Sequence, residues 1–107
     1  MELEVWLHGK HVAMLSENRR QLTMVYTGVA HPIGAPLVSV AMPVGAGRYS
    51  DPKVRAFFRG LLPEGEARSM LAHDFGLDES DDMGLLGVLG RDCAGALVVQ
   101  PKGDRAP

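Results

Sequence analysis

Asp74-Phe75-Gly76 spells the tripeptide whose aspartate holds Mg²⁺ in protein kinases. That chemistry needs companions: a glycine-rich loop over the phosphates, a strand lysine, and an upstream catalytic loop with Asp and Asn. None precedes the triplet here, and the triplet stands at the end of a helical pattern with Gly76 placed as its cap. Gly84-x-x-Gly87-x-x-Gly90 and Gly45-x-Gly47 lack the strand-turn-helix setting that lets glycines cradle phosphates, so both are assigned to packing and turns. His8 and His11 flank a turn, whereas His31, His73 and Cys93 lie far away along the chain and share no metal-ligand spacing. Cys93 has no local base to activate it and reads as a small buried residue. No Ser-His-Asp set is marked either. The residues therefore assign no catalytic, cofactor-binding or metal-ligating set.

What remains is chemistry of contact. Trp6 falls on the polar side of an alternating strand, and two readings stand: an exposed anchor for a partner, or a residue covered by the C-terminal helices. Arg48, Arg55, Arg59 and Arg68 read mainly as a solvated face from which several could pair with a partner's carboxylates. The turn with Pro63, Glu64, Glu66 and Arg68 is the other candidate interface.

These groups are positioned by a sheet-forming half and a helical half. Leu3, Val5 and Leu7 alternate with Glu2, Glu4 and Trp6, the period of a half-buried strand. His8-Gly9-Lys10 is a turn, residues 12–15 form a second strand, 17–20 turn again, and 22–26 form a third strand rich in β-formers. Residues 28–36 read as a loop. A fourth strand is expected over 37–42, stopped by Pro43, and then a flexible link over 45–48.

Three short helices are expected next. In the first, Asp51 is the N-cap, Pro52 takes the first helical position, and Val54, Phe57, Phe58 and Leu61 make one apolar face ending near Gly60. Pro63 opens the second, with Glu64 and Glu66 in its first turn, a buried stripe of Ala67, Met70 and Leu71, and Gly76 at its end. The acidic run 78–82 caps the third, about 81–89, and compensates its dipole. Gly84 and Gly87 inside that helix each cost about 1 kcal/mol against alanine, which predicts a backbone packed closely against it. A polar turn at Arg91-Asp92 leads to a final strand over 94–99. The expected fold is α+β: a small antiparallel, barrel-like meander, three short helices in the C-terminal half and a last strand. One domain spans 1–101, and 102–107 is an irregular polar tail.

Composition excludes several classes. A net charge of −2 leaves no basic stripe for nucleic acid, and no apolar run approaches the roughly 18 residues of a membrane helix. The acidic, amphipathic start is not a signal peptide. A single cysteine allows no intrachain disulfide, in keeping with a reducing cytoplasm.

One combined pattern is more specific than any of these. Phe57-Phe58-x-Gly60-Leu61-Leu62-Pro63-Glu64-Gly65-x-x-Arg68, then Leu85-Leu86, then Gly90-Arg91-Asp92-Cys93-Ala94-Gly95-Ala96-Leu97, resembles the N-terminal subdomain of HipA-like serine/threonine kinase toxins. Residues 36–43 are similar to that family's "PLSLSLP" strand, and Tyr49-Ser50 falls where the family often has such a pair. The likeness covers 3–101. Phe57, Phe58, Leu61, Leu62, Pro63, Gly90, Asp92 and Gly95 carry it as fold or interface positions.

The resemblance implies a bacterial toxin–antitoxin module associated with growth arrest and persistence. Its best-known kinases act on an aminoacyl-tRNA synthetase and are restrained by a DNA-binding antitoxin. The family's nucleotide loop, catalytic aspartate and magnesium ligands lie further along its chain, so ATP and Mg²⁺ would belong to a partner kinase and no catalytic residue carries over. Two identities follow from the resemblance: a stand-alone, HipS-like antitoxin subunit that binds and neutralises a HipA-type kinase, or the excised N-terminal piece of a full kinase. A minimal nucleotide-binding enzyme is the distant rival.

Overall fold

In the computed structural model, the structure describes residues 1–27, 38–39, 41–45, 47–92 and 96–107. Five strands form one antiparallel sheet in the order β4-β3-β2-β1-β5: β1 (Glu2–Leu7), β2 (Lys10–Asn18), β3 (Gln21–Tyr26), β4 (Arg48–Ser50) and β5 (Leu97–Pro101). Between β4 and β5 run α1 (Lys53–Arg59), α2 (Gly65–Asp74), α3 (Asp82–Leu89) and a 3₁₀ turn over Gly90–Asp92. The α+β expectation holds, with the three helices in one block between the edge strands.

The meander is built by alternation and tight turns. Leu3 pairs with Leu15 and Val5 with Ala13, and all four are buried. His8 and Gly9 form the two-residue loop into β2 with φ of 51° and 75°, the left-handed pair that matches the twist of a hairpin. Arg19 and Arg20 do the same between β2 and β3, at 52° and 66°, without a glycine to relieve the Cβ contacts. A bulge makes the register skip from Val5↔Ala13 to Trp6↔His11, which leaves Val12 unpaired across the strand and turned into the core.

The core joins this sheet face to the helices. Leu3, Val5, Leu15, Leu22, Met24 and Val99 meet Val54 and Phe58 of α1 and Met83, Leu85 and Leu86 of α3. Phe57 and Leu61 pack at its margin, and the Phe57 and Phe58 rings meet edge to face at 5.0 Å between centroids. Burial of this apolar area is the main stabilising term.

Several expectations are corrected. Of the strand expected over 37–42, Leu37 and Val40 lie outside the described residues, and Ser39 and Met42 close a tight turn with a 3.0 Å backbone bond. The fourth strand is instead Arg48–Ser50, which begins at the last residue of the expected 45–48 link. It forms because two tyrosines pin the preceding segment. Tyr26 donates its hydroxyl to the Met42 carbonyl at 2.5 Å, and Tyr49 donates to that of Pro43 at 2.5 Å. Pro52 is the cap of α1 rather than its first residue, yet the Asp51 carboxylate still accepts the Arg55 N–H at 3.1 Å. The last strand starts at Leu97; Cys93, Ala94, Gly95 and the 28–36 loop lie outside the described residues. Within the tail, the Asp104 and Arg105 carbonyls accept from the Gln100 amide at 3.4 and 3.1 Å.

The close approach that the glycines of α3 implied is real but falls one turn later. A Cβ on Gly90 would stand 2.2 Å from the Val99 carbonyl oxygen, so only glycine lets α3 meet β5 there. Gly84 instead makes room for the Asp81 cap, and Gly87 for the Met1 and Leu3 side chains.

Candidate functional site

Arg55 and Arg59 sit four apart on α1, so they share one helix face. Arg68 lies in the first half of α2, and Asp82 is the first residue of α3. The fold brings all four together. The Asp82 side chain is 1% exposed and accepts from Arg55 at 2.7 Å, from Arg68, and lies 3.3 Å from Arg59 Nε. Arg55 also reaches the Arg20 carbonyl at 2.5 Å and Asp51 at 3.4 Å, while Arg68 Nε donates to the Glu79 carbonyl at 2.6 Å. Asp51 in turn accepts the Leu22 N–H at 2.8 Å. One carboxylate thus ties three helices to each other and to the β2–β3 turn.

The electrostatics follow from the geometry. Burial by itself pushes the Asp82 carboxyl up, but the hydrogen bonds from Arg55 and Arg68 and the nearby charges outweigh it and hold the group below the usual aspartate range. Burial likewise works against charge on Arg55, and Asp82 and Asp51 reverse that, raising its pKa. Asp82 is therefore a structural anion, with no proton to give near neutrality.

Beside this hub opens a cleft of about 620 Å³ lined by Glu17, Arg20, Arg55, Arg59, Asp78, Ser80 and Asp81. Charges of both signs line it. Among the described residues no group of three or more His, Cys, Asp or Glu side chains is gathered to hold a metal ion. Asp74-Phe75-Gly76 forms the end of α2: Gly76 takes φ of 67°, the Leu77 N–H reaches the Ala72 carbonyl at 2.8 Å and the Gly76 N–H that of His73 at 3.1 Å. This is a Schellman closure, as the glycine predicted.

The expected site residues divide. Trp6 is half-buried on the polar sheet face, its ring 5.3 Å from that of His11 and its Nε1 donating to Glu4 at 3.4 Å. Pro63 is half-buried and precedes α2, which starts at Gly65 with Glu64 as its cap; Glu64 and Glu66 are exposed. Arg68 turns inward to Asp82, its side chain 11% exposed. The arginine face is thus corrected: three of its four members converge on one buried carboxylate, and only Arg48 stands apart on β4.

Asp82 itself was hidden in the acidic run. Asp81 caps α3 through the Gly84 N–H at 2.9 Å, as expected, whereas Asp78 closes a separate turn by accepting the Ser80 N–H at 2.8 Å. The residue after the cap was read the same way. Its sequence signal was an arginine pair four apart upstream, which only the packing of α1 against α3 connects to it.

The stripe of α2 is the second correction. Ala67 and Met70 are exposed, Met70 at 66%, and Leu71 is only half-buried; the buried residue is Ala72. The helix is held by Ala72 and Arg68, and its apolar stripe faces out.

Comparison with known proteins adds the family. Residues 3–100 match the family described as HipA N-terminal domain. Over 107 residues the chain is 34% identical to the Sinorhizobium fredii protein named "Putative kinase Y4mE", covering 98% of this chain and 25% of that one. A second protein of the same organism, "Putative kinase Y4dM", is 49% identical over 55 residues, half of this chain and 13% of its own. Among solved structures, a chain of the Shewanella oneidensis HipA complex with HipB and operator DNA superposes with a TM-score of 0.72 at 25% identity, over 98% of this chain and 25% of that one. The chain spans about a quarter of the length of Y4mE and of the Shewanella chain.

Proposed function

Since the chain belongs to the HipA N-terminal domain family, we propose that it is a non-catalytic subunit of a HipA-type toxin–antitoxin module, docking on the kinase toxin and neutralising it. The observation that carries this is the extent of the match: nearly all of this chain corresponds to a quarter of relatives named as kinases or HipA. The other three quarters of those proteins have no counterpart in these residues, and on this reading a partner supplies the kinase chemistry. The side chains support the same division. The one kinase-like triplet is a helix cap, and the buried ionic cluster is committed to holding helices together. ATP and Mg²⁺ would then bind the partner, in the cytoplasm, and the HipB-containing complex of the Shewanella protein suggests a DNA-binding antitoxin as a third component.

The relatives carry this domain within a longer chain, which favours a second reading: an interface subdomain of one polypeptide kinase. Co-expression with a HipA-type kinase separates the outcomes. The subunit reading predicts a stable complex with reduced kinase autophosphorylation, and a kinase that neither binds the chain nor changes its activity refutes it.

A further inference from the structure

On α2, Ala67, Met70, Leu71 and Phe75 stand at i, i+3, i+4 and i+8, a single apolar arc of the helix. In a lone domain such an arc faces the core. Here the burial falls to one side of it: Ala72 is buried, Arg68 is 11% exposed and Leu71 is half-buried, while Met70 on the far edge is 66% exposed and Phe75 49%. The offset is enforced, because Arg68 is bound to Asp82 and to the Glu79 carbonyl, and turning the apolar arc inward would break both contacts. A nearly buried cation beside exposed Met70 and Phe75 is the reverse of ordinary surface chemistry.

The surroundings select the occupant. Glu66 and Asp74 lie one turn either side of Met70, and Glu64 caps the same helix; none of the three has an ion-pair partner among the described residues. The apolar row is thus edged with free carboxylates. It fits an apolar groove rimmed by lysine or arginine, with anchors at the spacing a helix uses when it lies in a groove. A second copy of this chain would oppose carboxylates to carboxylates along the same row, which disfavours it. In the relatives, about three further lengths of chain accompany this domain. Resting on the function proposed above, we infer that the outer face of α2 is the surface that docks into such a groove on the HipA-type kinase body, with Met70 as its central anchor.

Calorimetric titration of the purified kinase with this chain tests the inference. Met70→Glu is expected to weaken binding at least tenfold, equivalent to about 1.4 kcal/mol, as the loss of a central interface anchor does. Its circular dichroism and Tm should stay native, because the residue points to solvent. Glu66→Lys with Asp74→Lys should weaken binding further at low salt than at high salt. Val88→Glu, at an exposed apolar residue of α3, is the control and should leave affinity unchanged. Native affinity in Met70→Glu, with the wild-type complex intact, overturns the α2 assignment and leaves the subunit reading standing. Absence of any wild-type complex overturns both. A wild-type dimer that Met70→Glu dissociates in sedimentation, with kinase binding undiminished, assigns the face to a second copy and overturns the inference.

Discussion

Replacing Asp82 by asparagine keeps the shape of the side chain and removes its charge, leaving three arginines around a neutral amide. Breaking a buried ion pair from one side costs about 3–5 kcal/mol, mostly the penalty of the stranded partner. The partners here are not equally stranded. Arg68 is nearly buried, whereas Arg59 is 54% exposed and re-solvates, and Arg55 keeps the Arg20 carbonyl and Asp51. The low end, about 3 kcal/mol, is therefore expected, or a fall in Tm of roughly 12–24 °C for a domain of this size. Urea unfolding with a shared m-value is the assay. The acid limb gives an independent check. Asp82 has a folded pKa below its unfolded value, so its contribution is complete above about pH 4 and is lost as pH falls through the folded value. The gap between wild type and Asp82→Asn should narrow in that acid window and stay constant at higher pH. Arg59→Ala should cost less than about 1 kcal/mol, as exposed pairs do. A loss for Asp82→Asn no larger than that of Arg59→Ala would show that the arginines hydrate freely and that Asp82 does not hold the helices.

Two further outcomes bear on the frame. Gly90→Ala places a methyl 2.2 Å from the Val99 carbonyl, backbone that cannot rotate away, and should destabilise by at least 1–3 kcal/mol, seen in denaturant midpoint. Tyr26→Phe removes the hydroxyl that binds the Met42 carbonyl and accepts the Val38 N–H at 3.3 Å, and should cost about 1–2 kcal/mol with faster amide exchange at Val38. Burial raises the Tyr26 phenol above its usual value, so wild-type stability should fall above about pH 10 more steeply than that of Tyr26→Phe.

How far the chain could be read in advance depended on the range of each signal. The three-strand meander was legible because alternation and turn residues act between neighbours, and the strand ends moved by only a few residues. Gly76 and Asp81 were legible for the same reason: a cap is completed within one turn of its helix. β4 was not, since its pairing depends on Tyr26 and Tyr49 holding a segment whose own residues look irregular. Trp6 on the polar face was expected, but its ring contact with His11 depends on a bulge that alternation does not encode.

Local periodicity, capping chemistry and the spaced pattern from Phe57 through Leu62 to Gly90 determined an α+β domain of the HipA N-terminal family. Tertiary structure alone decided what the charged and apolar residues of the helices do. Asp82 meets its arginines across separations of 14 to 27 residues, and no short-range pattern encodes an ion pair at that distance. The same contact rotates Arg68 inward and Met70 outward. An apolar stripe in a sequence specifies that a face will be buried; whether its own core or another protein buries it depends on which side of the helix the fold has already claimed.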